Sequence, residues 1–232
     1  MRKNWIPSVL ILGLIPFSTH AFAQTSVALS GYGTFSGTTS GNGTAVSPAN
    51  QAGGIIEVRH ISNALLGFEA TYSFNRANQT YTSPAVAYPQ GACPVSDCST
   101  SKETVRGNAH EITLDWVPSI GIGSLRPFGV LGVGALLDVP SQSEVTVTSI
   151  GSCPAGVCTG PGVATNTSST STSAQAVYVY GAGLDWGLLP HLGLRLQYRG
   201  NLYQTPNLTN LFSSANAFTH TAEPMIGAYF NF

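Results

Sequence analysis

Few residues in this chain are equipped for chemistry, and three of them fall close together: His60, Ser62 and Glu69. A serine hydroxyl becomes a nucleophile when an imidazole takes its proton and a carboxylate orients that imidazole. The run His60-Ile61-Ser62-Asn63 could supply the first two groups and Glu69 the third. Two facts weigh against it. Ser-Asn is ordinary turn chemistry, and His60 shares strand parity with apolar residues while Glu69 shares it with polar ones. The sequence therefore predicts no catalytic site. His110, His191 and His220 stand singly with no metal-ligand spacing, so neither metal nor cofactor is expected.

The other reactive groups are the cysteines, Cys93-Pro-Val-Ser-Asp-Cys98 and Cys153-Pro-Ala-Gly-Val-Cys158. Two pairs at the same spacing in an exported chain read as two local disulfides. A cross-link between the two segments and metal ligation are the alternatives, because sequence does not fix connectivity. Export itself is read from the start of the chain. Arg2 and Lys3 precede an apolar run from Trp5 to Phe17, and Ala21-Phe22-Ala23 follows, which is the pattern of a signal peptide over 1–23 cut after Ala23. The remaining unit is 24–232.

Composition narrows the class. Charged residues make up 8% of the chain, where a soluble domain carries roughly 25%. Arg2 and Lys3 leave with the signal, so nine basic residues become seven against ten acidic ones. No basic patch suggests nucleic acid. No apolar run reaches the roughly 20 residues of a membrane helix. A chain of this kind crosses a membrane as a closed barrel, since only helices and barrels satisfy their backbone in lipid.

The periodicity supplies the staves of that barrel. From Phe218 to Phe232, FTHTAEPMIGAYFNF alternates with period two, one face mostly apolar and the other mostly polar. Seven earlier stretches behave similarly, starting near Thr25, Gly54, Leu66, Glu111, Leu125, Val177 and Leu192. The facing of the Gly-rich stretch Leu125 to Asp138 is ambiguous. Residues 38–52, 77–106, 139–174 and 205–217 read as polar loops, and Ser62-Asn63, Pro118 to Ser124 and Leu188 to His191 as tight turns. Connections thus alternate long and short. That predicts an all-β fold: an eight-stranded antiparallel transmembrane up-and-down β-barrel with short periplasmic turns and long extracellular loops. Trp116, Trp186, Phe230 and Phe232 fall at turn-side ends of apolar faces, and Phe35, Phe74, Tyr178 and Phe218 at loop-side ends, as two aromatic belts would.

Gly53 to Phe74 (GGIIEVRHISNALLGFEATYSF), Arg126 to Gly134 (RPFGVLGVG) and the terminal strand resemble the OmpA-like outer-membrane β-barrel domain. The resemblance implies the outer membrane of a Gram-negative-type bacterium and an assembly signal at Phe232. It also implies outer-membrane lipids and the barrel assembly machinery as partners. The chain is expected to be a monomer, with an extracellular ligand for the loops as a further partner. His60-Ile61-Ser62-Asn63 separately resembles the His-x-Ser-Asn of lipid A deacylases, but Ala64-Leu65-Leu66-Gly67 runs straight into a strand where that family's next residues should be.

Parity sends Glu57, Arg59, Glu69, Glu111, Asp115, Asp185, Arg195, Arg199 and Glu223 into the lumen, with Arg126 beside them. Ranked by distance from the turns, Arg59, Glu69, Asp115, Arg126, Asp185 and Arg195 make a lower layer. Above it Glu57, Glu111 and Glu223 surround Arg199. Arg199–Glu223 is the first pair expected, since they lie on adjacent strands, and Glu111 the second partner. Small barrels have filled interiors, so a structural plug is the plain reading and a narrow ion path the functional one. In the resembled family an Arg–carboxylate contact can act as a gate, which would make Arg199 the latch. The sequence therefore points to a structural or surface-interaction barrel, with a narrow pore as the alternative and a lipid A hydrolase third.

Overall fold

The computed structural model describes residues 24–82, 99–149 and 162–232. The signal segment 1–23 and both cysteine pairs lie outside these residues. Twelve strands form in chain order. They are β1 (Gln24–Ser36), β2 (Thr39–Gly41), β3 (Thr44–Pro48), β4 (Gln51–Ile61), β5 (Gly67–Arg76) and β6 (Gln79–Thr82). Then come β7 (Ser99–Trp116), β8 (Leu125–Ser149), β9 (Gly162–Asn166), β10 (Ser173–Gly187), β11 (Leu192–Gln204) and β12 (Phe218–Asn231). Eight of them are the staves: β1, β4, β5, β7, β8, β10, β11 and β12. Each pairs antiparallel with the next, and β1 pairs with β12 from Ser26↔Asn231 to Ser36↔Thr221, so the sheet has no open edge at membrane height.

Alternation sorts the side chains as the period demands. Along β5 every second residue from Gly67 to Ser73 is buried and Phe68, Ala70, Tyr72 and Phe74 are exposed. The exposed set around the barrel includes Leu29, Ile56, Leu114, Val133, Leu196 and Ile226, which in water would be an untenable surface and in lipid is the required one. Both aromatic belts are exposed at the ends the sequence placed them, and Trp116 donates its indole N–H to the Leu65 carbonyl at 2.6 Å. The ambiguous stave resolves cleanly: in β8, Phe128, Val130, Leu136 and Asp138 face inward while Leu131, Val133 and Leu137 face out. Gly129, Gly132 and Gly134 had blurred its pattern.

Of the outer segments, 205–217 is irregular as expected, but the described parts of the other three are largely paired strand. β7 begins at Ser99 and β8 continues to Ser149, so these two staves climb past the membrane band as a long paired ribbon. A bulge between Arg106 and Gly107, opposite Pro140, marks where the ribbon leaves the barrel wall. Strands β2, β3, β6 and β9 extend the ribbon into one extracellular sheet. The β2–β3 hairpin turns on Asn42-Gly43, both with positive φ (49° and 73°), which is the two-residue turn that fits strand twist. The reason for the difference is the backbone: Ser/Thr-rich chain with interspersed valine still has amide groups to pair, and pairing them to a neighbouring strand end is the cheapest solution.

Because the Asn42-Gly43 turn stands outside the membrane band, Gly43→Val should strain it by about 1–2 kcal/mol without touching the staves. We expect faster proteolysis in the 38–50 region and unchanged heat-modifiable migration of the barrel in detergent gels. A fall in the barrel's own unfolding temperature would show that the extracellular sheet and the staves fold as one unit.

Candidate functional site

The lumen is where the chain concentrates its charge. Strand β4 delivers Arg59 inward and its neighbour β5 delivers Glu69 directly opposite; strand β10 delivers Asp185 and β11 delivers Arg195 opposite that. These two cross-strand pairs face each other from opposite walls, and they interlock. Arg59 Nε donates to Glu69 Oε2 at 2.6 Å while its Nη1 crosses to Asp185 Oδ2 at 3.0 Å. Arg195 Nε and Nη2 donate to Asp185 at 2.7 and 3.0 Å while its Nη1 crosses to Glu69 Oε2 at 3.1 Å. Glu57 joins at 3.3 Å from Arg195 Nη1 and also accepts from the Ser30 hydroxyl. Phe128 closes the layer, its ring centroid 4.0 Å from the Arg59 guanidinium carbon and 5.4 Å from that of Arg195.

The sequence had four of these residues at one level but misassigned others. Glu57 belongs with Arg195 in this lower layer, not with Arg199. Arg126 faces inward as expected but below this layer: it lies half-buried at the periplasmic mouth, donating to the Gln24 side-chain oxygen. Asp115 is buried but makes no ion pair among the described residues, and accepts instead from the Thr113 hydroxyl at 2.9 Å. The first-choice pair is also corrected. Arg199 and Glu223 are direct register partners, yet Arg199 Nη2 donates to Glu111 Oε1 at 3.0 Å and to Thr113 Oγ1 at 3.3 Å, with no ion pair to Glu223. Register brings backbones together; a long guanidinium then reaches across the lumen from β11 to β7. Asn201 Nδ2 braces the same carboxylate at 2.8 Å.

His60, Ser62 and Glu69 are not brought together. The His60 ring lies on the outer face, bonded to Thr25 Oγ1 at 2.9 Å, while Glu69 is locked in the arginine layer. Asn63 Oδ1 accepts from the amides of Leu65 and Leu66, both at 3.0 Å, so the motif serves the turn.

A second plug, missed by the sequence reading, lies at the extracellular mouth. Val46, Tyr81, Val105, Leu208 and Ala215 pack together there with Phe212 against them. Tyr81 fastens the 205–217 segment by donating its hydroxyl to the Pro206 carbonyl (2.8 Å) and accepting from the Leu208 amide (3.1 Å). Burial pushes the Tyr81 phenol up from its ordinary value, which keeps it the neutral donor this contact needs. Beside it Glu103 is fully buried and accepts from the hydroxyls of Ser143, Ser168 and Thr209. The run Lys102 to Arg106 did carry the signal, since Glu103 and Val105 share a parity.

A closed eight-stranded barrel with an apolar outer band and a packed polar lumen is an outer-membrane β-barrel. The chain belongs to the family described as outer membrane protein beta-barrel domain, which matches residues 9–222. Among solved structures it is similar to Ail, the attachment invasion locus protein of Yersinia pestis (14% identity, TM-score 0.41, 90% of this chain and 99% of that one). It is likewise similar to OprG from Pseudomonas aeruginosa (12%, 0.42, 90% and 96%) and to neisserial surface protein A (12%, 0.41, 90% and 97%). No curated protein sequence is a significant match.

Arg195 touches three carboxylates, so Arg195→Ala leaves Glu57, Glu69 and Asp185 with Arg59 alone. Breaking a buried pair in this way costs about 3–5 kcal/mol, which chemical unfolding in detergent would register. A double-mutant cycle should separate the two candidate partners of Arg199, with coupling to Glu111 exceeding that to Glu223 by about 1 kcal/mol or more. Equal couplings would return Glu223 to the pair.

Proposed function

We propose that this protein is a surface-display barrel: a rigid, plugged support that presents a β-structured extracellular platform to a ligand outside the cell. The observation that supports this most is the β7–β8 ribbon, which continues far past the membrane band and is widened by β2, β3, β6 and β9. Segments of this length beyond what a hairpin needs are uncommon unless they serve a function. Here they are also paired and pinned, so the platform is preorganised for binding. Its described surface is rich in Ser and Thr, and Arg76, Lys102 and Arg106 are its exposed cations. That favours a neutral polar partner, such as a protein surface, over a polyanion. The cysteine pairs lie in the chain between β6 and β7 and between β8 and β9, outside the described residues; local disulfides are part of this proposal.

The narrow-pore reading requires the lower layer to part. Removing Arg199 alone leaves Arg59, Glu69, Asp185, Arg195 and Phe128 across the lumen, so Arg199 by itself is not a sufficient latch. The lipid A hydrolase reading has no support from His60, Ser62 and Glu69, since the His60 ring lies on the outer face and Glu69 in the arginine layer.

Adherence of a heterologous Gram-negative host expressing the protein to immobilised matrix glycoproteins tests the reading. We expect adherence above the empty-vector level, lost when residues 77–106 and 139–166 are shortened to tight turns and retained in Arg199→Ala. Adherence unaffected by the shortening, together with steady conductance of the purified wild-type barrel in planar bilayers, would replace the platform with a pore.

A further inference from the structure

Between the two plugs lies a chamber of about 40 Å³, room for about three waters, walled by β1, β5, β7, β8, β11 and β12. Three carboxylates line it: Glu111, Asp138 and Glu223, all at least nine-tenths buried. Of these only Glu111 has an arginine, Arg199. Asp138 accepts from Gln175 Nε2 at 3.1 Å, and neither Asp138 nor Glu223 has an ion-pair partner among the described residues. Arg76 reaches the rim with its side chain exposed. The chamber therefore holds two carboxylates more than its one buried cation neutralises.

A second feature is independent of the carboxylates. Two amide oxygens in the chamber wall, Asn201 Oδ1 and Gln79 Oε1, are buried and have no hydrogen-bond partner among the described residues. The two residues are 1% and 3% exposed. The orientation of Asn201 is not arbitrary, because its Nδ2 must face the acceptor-only carboxylate of Glu111, which turns Oδ1 elsewhere. Buried acceptors without donors are costly, and hard oxygen donors of this kind, carboxylate and amide carbonyl together, are what a calcium-like ion takes.

We propose that this chamber binds one partly hydrated divalent cation, held by Asp138 and Glu223 with the amide oxygens of Asn201 and Gln79. No three acidic groups among the described residues are gathered closely enough to ligate one ion together. Water therefore fills the rest of the coordination shell, and the chamber has room for it. The ion neutralises the two surplus charges and satisfies the two bare oxygens, and it ties β12 to β8 and β11 across the mouth. Asp138, Asn201 and Glu223 sit on staves and only Gln79, on β6, belongs to the extracellular sheet, so the site does not depend on the surface-display reading.

Terbium is the probe, since Tyr203 lines the chamber and can sensitise its emission on excitation of tyrosine. The full mature chain, refolded in neutral detergent free of lipid phosphate, should show saturable tyrosine-sensitised emission at one ion per barrel. Calcium should displace it, magnesium less well, and sodium only at far higher concentration. Glu223→Gln combined with Asp138→Asn should weaken terbium binding by about a hundredfold, tenfold for each lost charge. Compact migration of the unboiled variant confirms that it is folded; if it is not, Glu223→Gln alone serves, with about a tenfold loss expected. Emission that does not saturate, or that a folded variant binds with wild-type affinity, overturns the proposal. Displacement by sodium as readily as by calcium overturns the divalent assignment and with it the site.

Discussion

The interior of this barrel is organised around one constraint, that charge enclosed by a lipid-embedded wall is costly unless it is compensated. Arg59, Glu69, Asp185 and Arg195 meet it by a reciprocal exchange in which each arginine holds its own cross-strand acid and reaches across the lumen for the other. The two periplasmic hairpins, β4–β5 and β10–β11, are thereby joined through the lumen although they share no wall contact. A hydrophobic core would have filled the same space more cheaply. The ionic clasp adds direction, because a guanidinium satisfied on several edges admits one arrangement of its partners.

The clasp divides the interior into unequal parts. Below it lies a polar periplasmic mouth where Arg126 meets Gln24. Above it the charge balance fails in the acidic direction, and the chamber is roofed by an apolar plug around Tyr81. Among the described residues the lumen is thus crossed at two heights by two different chemistries, one ionic and one apolar. The bulge opposite Pro140 is where one duty ends and the other begins: beneath it side chains alternate between lipid and lumen, and beyond it the same two strands alternate between solvent and the extracellular plug.

Several residues look functional in sequence and are structural in place. His60 and Ser62 were drawn together by a short spacing, but a strand turns successive side chains to opposite faces and the following turn takes the rest. Asn63 is the residue the turn needs, and its carboxamide oxygen is fully occupied there. Glu103 went unnoticed although it is among the most enclosed carboxylates in the chain, because its partners are hydroxyls from segments far apart in sequence.

What the sequence determined alone is whatever follows from a period of two. The number of staves, their order, the side of each but β8 that meets lipid, and the inward facing of Glu57, Arg59, Glu69, Glu111, Asp115, Asp185, Arg195, Arg199 and Glu223 were all legible. Each depends only on a residue's neighbours along one strand. The tertiary structure decided who pairs with whom. Arg199 passes over its register partner Glu223 to reach Glu111, and Glu57 leaves the upper group for Arg195. Those choices depend on side-chain reach across a lumen whose opposite wall is some hundred residues distant in the chain, and no local pattern encodes that distance. The extracellular sheet was hidden for the same reason: a Ser/Thr-rich strand is recognisable only by the strand it lies against.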